Sequence, residues 1–507
     1  MRAAPACIDI CGTKNMRSVE SSPRSRCGAT LAALCAALAL AGCVSSAGIA
    51  PHAASLAAAD VGVPERAAGT QLADRWWRAF DEPQLDAIVD AALAANPSLA
   101  LARDRLERAN AALNAAQANA LPKVDGRFDG QRQRYSEHGL VPPPIAGSVG
   151  NTGLLELNGS WEIDFFGKNA AAIGAALGNA RAAEADAQAA RVLLASRVAS
   201  TYFQLGRLFE QRDVAERALA QRKEMLALTR LRVEAGLDTN VELRQSEAAL
   251  PETEQQIEAL DEQIALARHA LAALAARPPE AYAALAPRLR SAQAVALPPT
   301  LPADLLGRRA DIEAARQRVE AAGHDVAYAK TLLYPNVNLI AFAGLSSLGF
   351  TRLFDSGSAE YGAGVAVRLP IFDAGRLRAN VQGKTAELDA AVDSYNATLL
   401  DAVRDAADQI ASVQSVTRQR STQARAQGAA ESAYDLALQR YKAGLSTYLT
   451  VLAAENGVLT QRRLAADLKA RELDSQVALA RALGGGYDAA AQAADITNHS
   501  MSAVAAR

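Results

Sequence analysis

The side chains that could do chemistry are sparse and poorly spaced for it. The five histidines, His52, His138, His269, His324 and His499, stand at no metal-ligand interval, so no metal site is expected from them. No Gly-x-Ser-x-Gly, phosphate-loop or His-Glu-x-x-His pattern occurs. Carboxylates are abundant, but they lie in stretches of helical period, where they ordinarily form solvated faces or i, i+4 partners. Catalysis is therefore not expected, and no cofactor is called for. All five cysteines (Cys7, Cys11, Cys27, Cys35, Cys43) lie in the first 43 residues. The body of the chain thus has no disulfide framework and no thiolate metal site.

The last cysteine has a chemical context. Arg17, Arg24 and Arg26 form a basic region, Ala29 to Leu40 is an apolar run of twelve residues, and Leu40-Ala41-Gly42-Cys43 matches the bacterial lipobox. The run is too short to span a bilayer as a helix. Residues 1–42 read as a signal peptide, and the chain resembles a lipoprotein cleaved before Cys43 and acylated on it, with a palmitate-type lipid as its one covalent addition. A plain secretory signal with an incidental cysteine is the alternative. Val44, where Asp would retain the protein at the inner membrane, favours the outer membrane by the same resemblance. Met16 is a second candidate start. Removing residues 1–42, with five basic and two acidic side chains, moves the net charge from −2 to −5, which gives no reason to expect nucleic acid as a partner.

The elements that must position everything else are helices. Half the residues are apolar but only 5% are aromatic, and Ala dominates, a composition for close-packed helices. A twelve-residue stretch occurs twice, Arg232-Val-Glu-Ala-Gly-Leu-Asp-Thr-Asn-Val-Glu-Leu243 and Arg440-Tyr-Lys-Ala-Gly-Leu-Ser-Thr-Tyr-Leu-Thr-Val451, at an offset of 208. Gly236 and Gly444 sit where a helix ends in a left-handed cap, and Thr239 and Thr447 are placed to cap the next helix. Each stretch reads as the tip of a helical hairpin. Val198, Leu205, Leu219, Leu226 and Val233 recur every seven residues, broken by Arg212, and Leu243, Leu250, Ile257, Ile264 and Leu271 repeat the grid on the return arm. That is an antiparallel coiled coil. Pro251 should kink or break the return arm.

Between the helices the period changes to two. Val124, Phe128, Leu155, Leu157, Trp161 and Ile163 alternate with Asp125, Arg127, Asp129, Glu156, Asn158 and Glu162, and Tyr361, Val365 and Val367 do the same in the second half. Four strands of about eleven residues have the length of transmembrane strands. Residues 122–167 and 334–375 hold 11 of the 24 aromatics, a bias that suits interfacial girdles. Four strands cannot close a barrel and an open edge cannot persist in lipid, so the barrel must be shared between subunits. Two chains would fill its interior with side chains; three would make twelve strands and a water-filled lumen.

The organisation is then as follows. Residues 43–70 are a lipid-anchored tether. Residues 71–277 are a first repeat of helix, β-hairpin (about 122–167) and coiled coil with its tip at 232–243. Residues 278–302 are a Pro-rich connector, and 303–483 a second repeat with its hairpin at about 334–375 and its tip at 440–451. Residues 484–507 are expected to be a flexible tail.

Trp76-Trp77-Arg-Ala-Phe80-Asp81, the Leu301 to Ile312 element with Arg308-Arg309-Ala310-Asp311, Tyr334-Pro335-Asn336 and the two tips together resemble the NodT/OprM/TolC family of outer-membrane efflux factors. The resemblance implies a mainly α fold with a membrane β-barrel. Its members are lipid-anchored homotrimers with a 12-stranded barrel and a periplasmic helical tunnel. It further implies an outer-membrane channel of a tripartite efflux system, a passive conduit exporting drugs or other small molecules. Its partners would be a periplasmic adaptor and an inner-membrane pump, most closely of the RND type. By position, Arg232, Gly236, Leu237, Arg440, Gly444, Leu445, Ser446 and Thr447 would meet the adaptor, and Leu449 would line the periplasmic aperture. Tyr441 would hydrogen-bond between coils near the tip, with Glu242 as its acidic partner. Ala453 stands where the family often has Asp, with Glu455 nearby on another helical face, and Ala310 replaces the usual Pro. The alternatives are the export duct of a type I protein-secretion system and, in another class, a periplasmic adaptor or coiled-coil scaffold. The duplication argues against the latter, because an adaptor needs only one helical hairpin.

Overall fold

A computed structural model describes residues 45–62, 72–289, 292 and 309–487. The signal peptide, Cys43, residues 63–71, the second half of the Pro-rich connector with residues 303–308, and residues 488–507 lie outside them. The long elements come in two matching series. The first is α1 (Pro83–Ala95), α2 (Pro97–Asn119), β1 (Lys123–Arg134), β2 (Val149–Ile163), α3 (Lys168–Glu234) and α4 (Asn240–Leu274). The second is α5 (Ala310–Thr331), β3 (Asn336–Leu348), β4 (Ala359–Arg368), α6 (Arg376–Lys442) and α7 (Tyr448–Ala482). Helices α3 and α6 each have 67 residues, roughly 100 Å of rise. Their return helices α4 and α7 each have 35.

Sequence accounts for the starts and stops. Asn96 caps α2 by accepting from the Ser98 N–H, and Pro97 opens the helix. Gly167 and Gly375, at φ +77° and +86°, turn the chain from strand into α3 and α6. Upper α3 carries Ala171, Ala175, Gly178, Ala182 and Ala185 on one buried stripe against α5. A Cβ on Gly178 would lie 2.9 Å from the Ala321 methyl and 3.0 Å from the Gln317 carbonyl, so the two helices approach at backbone range. Lower down, the stripe gives way to large side chains. Trp76, Trp77 and Phe80 pack with Leu85, Val89, Tyr202, Phe203 and Leu205 into the main core, at the level where α4 and α7 end against α3. Arg212, the break in the seven-residue grid, reaches across to Asp261 of α4 and to Glu216, so the exception is an ion pair.

The sheet order is β1-β2-β3-β4, antiparallel throughout, although β2 and β3 are separated by the whole first coiled coil. Register places Phe128 beside Leu155, Leu157 beside Ala343, and Ala343 beside Tyr361 on one face; Arg127, Glu156, Gly344 and Glu360 form a row on the other. One face is therefore apolar and the other polar. Among the described residues, strands β1 and β4 each have a strand on one side only.

Helix α4 does not break at Pro251: it is one helix with the proline inside it and packs along α3. Two further expectations are corrected. The segment expected to be a tether is docked on α6 and α5. Arg378 donates to the Ser45 and Ala47 carbonyls, and the His52 and Ala53 N–H groups donate to Asp389. Asn396 accepts from Leu56 N–H and donates to the Ala54 carbonyl, while Leu56 and Val61 pack near Ile312, Leu399 and Ala402. The tail does not become mobile at 484. Gly484, Gly485 and Gly486 all have positive φ, a Cβ on Gly485 or Gly486 would meet Val192 or the Ala73 carbonyl, and Tyr487 is buried. Glycine serves close approach there rather than freedom.

Candidate functional site: the paired hairpin tips

Both tips are built by the same backbone device. In the first, the Leu237 N–H returns to the Arg232 carbonyl at 2.8 Å and the Gly236 N–H to Val233 at 3.0 Å. In the second, Leu445 returns to Arg440 at 2.8 Å and Gly444 to Tyr441 at 2.9 Å. Gly236 and Gly444 share φ +73°, the left-handed conformation that a Cβ strains. Leu237, Val241, Leu445 and Leu449 project from the turns and first helical residues with more than half their surface exposed.

Side chains then make the tips different. Thr239 accepts from the Val241 N–H, and Glu242 accepts from the Thr239 N–H at 3.0 Å, closing a capping box. Thr447 makes no such bond, a correction to its expected capping role; the residue three places on is Thr450 and not Glu, and the two hydroxyls stand 3.4 Å apart. Arg232 turns inward and grips Asp238 with two bonds of 2.9 and 3.2 Å. Arg440, its counterpart, is exposed, because Ser446 stands where Asp238 does.

The inward side of the first tip meets the second through Tyr441, which is fully buried. Its hydroxyl donates to Asp238 at 2.5 Å and lies 3.3 Å from Thr229 Oγ1. The Arg232 guanidinium sits 4.5 Å above its ring and donates to its carbonyl at 3.3 Å. Burial, with the Asp238 bond second, raises the Tyr441 phenol to about 12. Burial also acts to raise the Asp238 carboxyl, but the hydrogen bonds from Arg232 and Tyr441 outweigh it and hold that carboxyl below its usual range. Tyr441 thus does bridge two coils, but its acidic partner is Asp238. Glu242, the expected partner, is occupied by the capping box on the outer side of the turn.

A deeper contact joins the same coils. Arg222 of α3 donates to Glu455 at 3.2 Å and Asn456 at 3.2 Å on α7, and to the Ala249 carbonyl at 3.1 Å and Thr253 at 2.9 Å on α4. Both charged side chains are nearly buried, at 11% and 9% exposure. Burial raises the Glu455 carboxyl against the pull of Arg222. Arg222 falls three residues after Leu219 and four before Leu226, a seam position of the heptad, and a charge on a seam is the signal that could have found it. Among the described residues, no three His, Cys, Asp or Glu side chains are grouped so as to hold a metal ion.

Comparison with known proteins accords with this architecture. Residues 88–277 and 301–485, one block in each repeat, match the family model described as outer membrane efflux protein. The fusaric acid resistance protein FusA of Burkholderia cepacia is 37% identical over 372 residues, 71% of this chain and 70% of that protein. The pyoverdine export outer membrane protein OpmQ of Pseudomonas putida is 33% identical over 426 residues, 82% of this chain and 88% of that protein. Among solved structures, the outer membrane protein VceC of Vibrio cholerae is 33% identical, superposes with a TM-score of 0.78, and is matched over 82% of this chain and 100% of that one. The chain is an outer-membrane protein and belongs to the outer membrane efflux protein family.

Proposed function

We propose that three copies of this chain form the outer-membrane channel of a tripartite efflux system. The channel is a passive conduit that carries small molecules from a periplasmic adaptor and an inner-membrane pump to the exterior. The observation that carries this is the sheet. It has one apolar face and one polar face, its edges at β1 and β4 lack outer partners among the described residues, and it continues into two helices roughly 100 Å long. Lipid forbids the free edges, and closing β4 of each copy on β1 of the next satisfies them. Twelve strands leave an aqueous lumen that the helices prolong.

The strap at residues 45–62 supports lipid anchoring at Cys43. Arg378, which holds Ser45 and Ala47, lies in the first turn of α6, ten residues after the end of β4, so the acylated residue would emerge near the periplasmic rim of the barrel. At the other end, the Tyr441–Asp238–Arg232 cluster holds the two tips of one copy together, and Leu449, exposed at the start of α7, would line the aperture that three copies enclose. Exposed Leu237 and Leu445, with Arg440, Ser446 and Thr447 beside them, offer the adaptor its contact surface. The test is planar-bilayer conductance. The resting protein should conduct weakly and Asp238→Ala should raise the conductance; equal conductance in both would remove the tip as the gate. Cross-linking from Leu237→Cys and Leu445→Cys to a co-expressed adaptor tests the docking surface.

A further inference from the structure

The polar face of the sheet is not uniformly polar. Register brings Asp125, Asn158, Phe342 and Gly362 into one row across the four strands, and Arg127, Glu156, Gly344 and Glu360 into the next. Phe342 is an aromatic ring on the face that carries Asp125, Arg127, Glu156 and Asn158, with Ile340 two residues away on the same face, and 39% of its surface is exposed. It lies across Gly362, where a Cβ would come within 2.6 Å of the ring, so the glycine lets the ring lie down on the wall. Gly344 leaves the next row without a side chain between Glu156 and Glu360, two strand spacings or about 10 Å apart. A Cβ on Gly344 would lie 2.3 Å from the Leu155 carbonyl, so the gap is fixed by the backbone.

The cation nearest in register does not neutralise these carboxylates. Arg127 stands opposite Glu156, but its guanidinium turns along its own strand to Asp129. Glu156 instead accepts the amide of Asn158, at 3.0 Å. Arg352 borders the surface farther toward the β3–β4 connection, beside Asp129, Thr152 and Ser346. The patch therefore combines an exposed ring face with two carboxylates at its edge. A ring face attracts cations, and carboxylates within a few ångströms exclude anions.

We propose that Phe342, Glu156 and Glu360 form a binding site on the channel wall for planar aromatic cations, one per copy. This rests on the trimeric reading above, in which this face lines the lumen. A solute of that class stacks on the Phe342 ring and places its charge over the Gly344 gap, which makes the barrel a selective stretch of the conduit. The test uses purified trimer in nanodiscs, titrated with proflavine, a planar aromatic cation, and with pyrene-1-sulfonate, a planar aromatic anion, both followed by fluorescence anisotropy. Proflavine should bind the wild type more tightly than the anion. Phe342→Leu, and separately Glu156→Gln with Glu360→Gln, should each weaken it about three- to tenfold, the second loss shrinking in high salt. Equal affinity across wild type and both variants, or an anion bound as tightly as the cation, overturns the site. Light scattering on the same samples keeps the two readings apart: a trimer without selective binding defeats the site alone, and a monomer defeats the trimeric reading.

Discussion

Arg232 and Arg440 occupy the same place in a repeated stretch, yet one is half-buried in an ion pair and the other is exposed. The difference lies six residues on, in Asp238 against Ser446. Tyr441→Phe deletes the hydroxyl bonds to Asp238 and Thr229 while keeping the ring under Arg232, and should cost about 1–2 kcal/mol of tip closure, near a tenfold shift toward the open form, read as open probability in bilayers. The pH dependence follows from the two titrating groups. Tyr441, raised to about 12, contributes stability that is complete below the free phenol value and is lost as pH rises toward 12. Asp238, held low, contributes stability that is complete above the ordinary carboxylate range and is lost as pH falls through its own value. Resting conductance should thus be flat from roughly pH 5 to 9. At the deeper clasp the expected costs are unequal. Arg222→Ala leaves Glu455 buried without its cation and should cost about 3–5 kcal/mol; Glu455→Gln leaves the nearly buried Arg222 without its anion and should also lower thermal stability, but by less, because Arg222 keeps its bonds to the Ala249 carbonyl, Thr253 and Asn456 and the carboxylate removed is one that burial disfavours.

At the scale of elements, the close seam between α3 and α5 explains the alanine-rich composition. Gly178→Val inserts a branched side chain where a single Cβ already meets Ala321 and the Gln317 carbonyl, and should destabilise by about 1–3 kcal/mol in thermal unfolding. The strap gives a second expectation. Asp389→Ala with Asn396→Ala removes the bonds that hold residues 52–56, so limited proteolysis should cut within 45–62 faster than in the wild type. The long helices, the strand alternation and the tips were legible because each rests on a local period or a cap residue. The strap was not, since its Ala, Ser and Gly residues have no period and its hydrogen-bond partners lie more than 330 residues away. Likewise Gly484–Gly486 reads as a flexible stretch until Val192 and Ala73 are seen against it. Tyr441 was legible as a bridge, but choosing Asp238 over Glu242 needed the three-dimensional turn, because both acids lie within four residues of each other.

At the scale of the whole molecule, one chain presents a third of a closed object. Its sheet ends in two open edges, its apolar face needs lipid, and its tips hold together two coils of what three copies would make into six. The duplication supplies this economically, with each repeat contributing one hairpin to the wall and one coil to the tunnel. The most direct test of that claim is the mass of the protein extracted from outer membranes in mild detergent, measured by light scattering. Three chains per particle is the predicted result. A single chain per particle, released from the membrane without detergent once Cys43 is replaced, would contradict it.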